Sequence, residues 1–142
     1  MTYLNAAKSL TPWIGLTKQK SELFIWSDGW PVEYINWAKD FNANNEAVIS
    51  NKACAYVESD TGTWNVSDCN DQRSFICKIT KDSIPTTTVA PPQLCPTDYD
   101  WKYFEGSTTE YKCYLFMPRS RTYFDASYDC KLKGDYNIIY FR

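Results

Sequence analysis

Short apolar runs separated by polar turn signals dominate the first eighty residues. Trp13-Ile14-Gly15-Leu16 reads as a buried strand. Leu23-Phe24-Ile25-Trp26 reads as a second one, ended by the turn signal Ser27-Asp28-Gly29. Upstream, Tyr3, Ala7 and Leu10 fall on one helical face and predict a short helix over 2–9. Lys52 to Glu58 alternates as a half-buried strand does, Asp60-Thr61-Gly62 turns it, Thr63 to Val66 continues, and Ser74 to Ile79 is a last strand. Between 27 and 51 the periodicity stops. That stretch is polar and asparagine-rich, with Asn36, Asn42, Asn44, Asn45 and Asn51. A loop of this length inside a compact domain usually carries function, although asparagine also serves simply to shape turns.

Residues 85–92 read Pro-Thr-Thr-Thr-Val-Ala-Pro-Pro. Such a stretch cannot bury apolar surface and favours extended conformations, so a linker is placed at 81–94, between segments 1–80 and 95–142. Its clustered Thr and Pro also suit O-glycosylation in an exported protein. Beyond it, Trp101 to Phe104 and Lys112 to Phe116 predict a strand hairpin. Thr122 with Asp125 three residues on is a capping signature, which predicts a helix from Tyr123 to Lys133. Ala126 and Cys130 share one face of it, and Gly134 suits the position after its end. Tyr136 to Phe141 reads as one more strand. The segment 95–142 is too short to build a core of its own.

Composition narrows the chemistry. The 142 residues are 44% hydrophobic and 23% charged, which is globular. Aromatic residues make up 17%, ample for a core of large side chains. A net charge of −2 leaves no electrostatic footprint for nucleic acid or anionic lipid. No apolar run is long enough to span a membrane. Histidine is absent, which excludes Ser-His-Asp and Cys-His catalysis and every His-ligated metal. Six cysteines stand at 54, 69, 77, 95, 113 and 130, with no CxxC pair, and so argue for disulfides over zinc. Disulfides imply secretion or an extracellular setting. The opening Met1-Thr2-Tyr3-Leu4-Asn5 lacks the features of a signal peptide, so the expectation is a processed chain or a piece of a longer one.

These residues, in this order, resemble the C-type lectin-like domain family. Trp13-Ile14-Gly15-Leu16 is similar to its core strand, and Phe24 to Gly29 with Asn36-Trp37 to the entry of its long loop. Cys54, Trp64-Asn65, Cys69 and Phe75-Ile76-Cys77-Lys78 resemble its C-terminal half. Cys95-Pro96, Trp101, Cys113-Tyr114-Leu115-Phe116 and Ala126 to Cys130 resemble its N-terminal half. The halves stand in reverse order. The resemblance implies an α+β fold of small antiparallel sheets, one or two helices and a long loop. It implies the pairs Cys95–Cys113, Cys77–Cys130 and Cys54–Cys69. Two origins stay open: a fragment of tandem domains, and a circularly permuted single domain of 95–142 followed by 1–80. Exchange of halves between copies competes with the single-chain assembly.

The family's sugar-binding members chelate calcium at the long loop, and calcium needs six to eight oxygen ligands. Carried across, the resemblance offers Asp40 and Asn42 for the first ligand triplet, Glu46 for a middle acid, and Asn65 in Trp64-Asn65-Val66. The proline of the first triplet is missing. Val66 stands where the family has an aspartate and contributes no side-chain oxygen. The ligand count therefore argues against calcium, and no other cofactor is implied. Asn65-Val66-Ser67 is also an N-glycosylation sequon: a glycan there would cover the ligand surface, the alternative being that the family's strand geometry hides Asn65 and the sequon is idle. Trp13, Trp26, Trp37 and Trp64 fall at core positions, while Trp30 and Phe41 are the candidates for stacking on a ligand. The function implied is an extracellular binding module for a glycan or glycoprotein through residues 27–51, not an enzyme. The alternative is a calcium-independent protein-binding or scaffold domain.

Overall fold

In the computed structural model, residues 11–19, 23–27, 29, 31–50, 52–81, 95, 99–105, 111–133 and 137–138 are described. The strands are β1 (Trp13–Gln19), β2 (Ile25–Trp26), β3 (Lys52–Val57), β4 (Trp64–Asp68), β5 (Arg73–Lys81), β6 (Lys102–Glu105), β7 (Tyr111–Arg121) and β8 (Asn137–Ile138). Two helices are described: α1 (Glu46–Ile49), a single turn inside the long loop, and α2 (Tyr123–Leu132). The helix predicted over 2–9, Gly134 and the linker lie outside the described residues.

The strands form one sheet in the order β4-β3-β1-β5-β7-β6, with β2 on β1 and β8 on β5. All pairings are antiparallel except β1 with β5, which meet in parallel at Trp13↔Phe75. The expected small antiparallel sheets are thus one mixed sheet. The parallel contact is what joins them, because Trp13 and Phe75 are both fully buried and pack in one cluster. β5 and β7 pair from Arg73↔Arg121 to Lys81↔Tyr111. The register slips between Arg73 and Phe75, where Pro118 on β7 has no N–H to give to the ladder.

Sheet alternation sorts the side chains into two cores. Ile14, Leu16, Ala53, Ala55, Val57, Trp64 and Val66 pack with Trp26 and Val48 on the face covered by the long loop. Trp13, Cys54, Phe75 and Cys77 pack on the other face with Leu115, Met117 and the inner side of α2, formed by Tyr123, Ala126 and Cys130. The helix begins where the capping signature places it, because the Thr122 hydroxyl accepts the Asp125 N–H at 3.2 Å. It ends at Leu132, one residue short of expectation, with the Lys133 N–H turning back to the Cys130 carbonyl.

Segments 11–81 and 95–138 build one body. Besides the β5–β7 ladder, Trp13 Nε1 donates to the Arg121 carbonyl at 2.9 Å, and the Tyr123 N–H donates to the Cys69 carbonyl at 3.0 Å. The Tyr123 ring meets Trp13 edge-on, with centroids 6.0 Å apart. Three disulfides form, Cys54–Cys69, Cys77–Cys130 and Cys95–Cys113, and Cys77–Cys130 crosses between the segments.

Candidate functional site

The long loop lies over the free edge of the sheet and is fastened there by backbone. The Trp64 N–H donates to the Asn36 carbonyl at 2.7 Å, and the Ala38 N–H donates to the Trp64 carbonyl at 2.7 Å. Residues 36–38 thereby run beside the start of β4, with a parallel bridge between Trp37 and Trp64. Asn36 adds a side-chain bond, Nδ2 to the Gly62 carbonyl at 2.9 Å. Gly62 closes the turn between β3 and β4 at a φ of 73°, a left-handed conformation that favours glycine.

Aromatic packing holds the loop from within. The fully buried Trp64 ring receives Trp26, Tyr34 and Trp37 edge-on, at centroid distances of 5.5, 5.6 and 5.9 Å. Outside that layer, Trp37 is stacked on Phe41 at 4.3 Å and tilted against Phe24 at 5.0 Å. Trp37 is only half-buried, so it is a rim residue and not the core tryptophan the sequence predicts. Phe41 is half-buried as well, and one of its ring faces is taken by Trp37. Trp30 lies outside the described residues.

The side-chain oxygens of Asn42 and Asn65 are each taken up by a nearby N–H. Asp40 is exposed on the loop. The Asn42 side-chain oxygen accepts the Asn44 N–H at 2.9 Å and so closes a local turn. Glu46 opens α1, a helix turn started by Asn45, whose carbonyl accepts the Ile49 N–H at 3.0 Å. Asn65 pairs with Tyr56 across β4 and β3 and therefore shares its face, the one on which α2 packs. Its oxygen accepts the Val66 N–H at 2.9 Å. Val66 points the other way, into the core beneath the loop. Asn65 and Val66 thus lie on opposite faces of the sheet, and the charge of Asp40 is felt at Tyr56, the neighbour of Asn65. Among the described residues no group of three or more Asp, Glu or Cys is close enough to hold a metal ion. Asn42 and Asn65 spend their side-chain oxygens on local N–H groups and Val66 supplies none, which does not fit a calcium cradle.

Sequence reading missed what the loop presents instead. Tyr34 is 48% exposed and Ile35 60% exposed, and across β2 Leu23 and Ile25 are also open to solvent. Nothing in the periodicity marks these four as outward, because they sit where helical and strand patterns are both absent or too short.

Small antiparallel strands, a helix, a long fastened loop and disulfides at both ends of the sheet define an α+β, disulfide-braced binding domain of lectin type. The Lectin C-type domain family matches residues 2–79, and the chain belongs to that family. The chain is 35% identical over 135 residues to the secretory phospholipase A2 receptor of Mus musculus, a match that covers 86% of this chain and 8% of the receptor. It is 27% identical over 135 residues to lymphocyte antigen 75 of Homo sapiens, covering 92% of this chain and 7% of that protein. It is 27% identical over 148 residues to C-type mannose receptor 2 of Homo sapiens, covering 97% of this chain and 9% of that receptor. The chain therefore spans less than a tenth of the length of these relatives. No solved structure gives a significant match. No helix among the described residues is long and apolar enough to cross a membrane.

Proposed function

We propose that the chain is an extracellular, calcium-independent binding module, and that its ligand is the surface of a protein or glycoprotein docked on the long loop and β2. One observation carries this reading. Tyr34 stands 48% in solvent yet is held edge-on against the buried Trp64 ring. A large amphipathic side chain fixed in place before binding loses little freedom on contact, which is the property of an interface anchor. Ile35 beside it, with Ile25 on β2 and Leu23 just before that strand, supplies apolar rim of the kind that protein partners cover. The names of the relatives point both ways, one to a secreted phospholipase and one to mannose. The side-chain oxygens of Asn42 and Asn65, spent on local N–H groups, favour the protein ligand over the calcium-chelated sugar. Disulfide bracing suits a secreted or extracellular location. The relatives named above include receptors, and we read this module as a binding domain and not an enzyme.

A surface-resonance measurement tests this. The chain is immobilised and exposed to a secretory phospholipase A2 and to mannosylated albumin, each with calcium and with EDTA. The expected result is saturable phospholipase binding, unchanged by EDTA and weakened roughly thirtyfold or more by Tyr34→Ala, the scale of an interface hot spot. Mannose binding that EDTA abolishes would restore the calcium-dependent sugar site at Asp40, Asn42 and Glu46.

The domain boundaries are read as 1–80 and 95–142 around the linker 81–94. We infer that the two segments are consecutive half-domains of a tandem lectin array, which complete each other in this chain. The match that covers 97% of the chain necessarily runs through both segments and the linker in the same order, which supports that reading. Self-association by exchange of the same halves between copies is the alternative assembly.

A further inference from the structure

We propose that Asn65 carries an N-linked glycan, and that this glycan stands on the helix-side face of the sheet, opposite the core beneath the long loop. Asn65-Val66-Ser67 is the only Asn-x-Ser/Thr sequence in the 142 residues. It lies on β4, the terminal strand in the sheet order, beside the short bridge between Trp37 and Trp64. The Asn65 side chain is fixed through one atom only. Its oxygen accepts the Val66 N–H at 2.9 Å, while Nδ2, the atom that takes the sugar, donates to no group among the described residues, and the side chain is half-buried.

Alternation along β4 decides the direction. Trp64 and Val66 face the core under the loop, so Asn65 faces the opposite side, next to Tyr56. A glycan there shields the half-buried ring of Tyr56 and the rim of the helix-side core, and leaves Tyr34 and Ile35 uncovered. On this reading the glycan does not mask the loop surface. The transfer needs a lipid-pyrophosphate-linked oligosaccharide as donor. The Asn65 Nδ2 attacks C1 of the first sugar and the C1–oxygen bond to pyrophosphate breaks. A C1–nitrogen bond forms, the amide gives up one proton, and the lipid pyrophosphate leaves.

The test is to secrete the full chain from a eukaryotic host and measure its intact mass before and after peptide N-glycosidase. The expected result is one glycan per chain, lost in Ser67→Ala and in Asn65→Gln and kept in Ser67→Thr. Deglycosylation in heavy-oxygen water should mark residue 65 alone. Secreted wild-type protein with an unmodified residue 65 overturns the proposal, whether or not any variant is secreted. Phospholipase affinity is then compared between glycosylated and enzymatically stripped wild-type protein. An unchanged affinity is expected, and a gain of tenfold or more on stripping overturns the placement on the helix-side face.

Discussion

Cys77 on β5 and Cys130 on α2 are bonded to each other across 53 residues of chain, and the bond fastens the helix to the strand that pairs with β7. It sits in a fully buried cluster with Trp13, Phe75 and Ala126, so the bridge and the packing around it reinforce one another. Replacing both cysteines by alanine should lower stability by about 4 kcal/mol, the chain-entropy value for a loop of this length. Urea unfolding of wild type and double variant reads that loss. A non-reducing peptide map of the monomer peak from size exclusion should return this pair within one chain. A covalent dimer carrying the same pair would assign it to exchanged halves.

Arg73 and Tyr56 make the second testable contact. The guanidinium carbon lies 3.7 Å from the Tyr56 ring centroid and 5.3 Å from that of Trp13, while the same side chain bonds the Thr11 hydroxyl. Burial raises the Tyr56 phenol above its ordinary value of 10.0, Arg73 pulls it down, and Glu58 adds to the rise. Burial likewise raises Tyr114 above 10.0. A phenol whose folded value lies above its unfolded value favours the folded state below the unfolded value, and that contribution is lost as pH climbs through the folded value. Stability should therefore fall from about pH 10 upward. Tyr56→Phe or Tyr114→Phe should flatten the fall, as read by chemical denaturation at stepped pH. Arg73→Met should move the Tyr56 transition higher in an ultraviolet titration, because the lowering charge is gone.

The Thr122 cap holds one of the exposed N–H groups at the start of α2. Thr122→Ala should cost about 1 kcal/mol, and Thr122→Ser should restore most of it. Thermal unfolding monitored by circular dichroism measures both.

Trp64 is the post on which the long loop hangs. Trp64→Ala should cost about 3–5 kcal/mol, since it removes a fully buried aromatic with three edge contacts. It should also release Tyr34. Phospholipase affinity should then drop together with stability, whereas Tyr34→Ala should lower affinity at near-constant melting temperature. Loss of affinity only where stability is lost would remove Tyr34 from the binding surface.

Strand positions in the first segment were readable because apolar runs and turn residues alternate there at short range. β1, β3, β4 and β5 all lie within a few residues of where those runs stand. The helix was readable from its cap more than from its periodicity. Phe124, Tyr128 and Leu132 recur on its outer side, exposed, while Tyr123, Ala126 and Cys130 face inward. With apolar residues on both sides, the helical pattern loses contrast. β2 shrank to Ile25–Trp26, since only Trp26 of that run is buried. In the candidate site, Asn36-Trp37 was marked by resemblance, but its bonds to Trp64 and Gly62 were not legible, as they join residues far apart in the chain.

The sequence by itself determined the family, the even set of six cysteines, the strand-rich first segment and the capped helix. Each of these is written in residue types or in spacings of a few positions, where local sterics and periodicity act. Only the tertiary structure decided that Asn65 turns toward the helix side while Val66 turns into the core beneath the loop, and that Tyr34 is propped outward on Trp64. A strand's two faces are equivalent until something packs on each, and which face receives the loop and which the helix is fixed by contacts between distant parts of the chain.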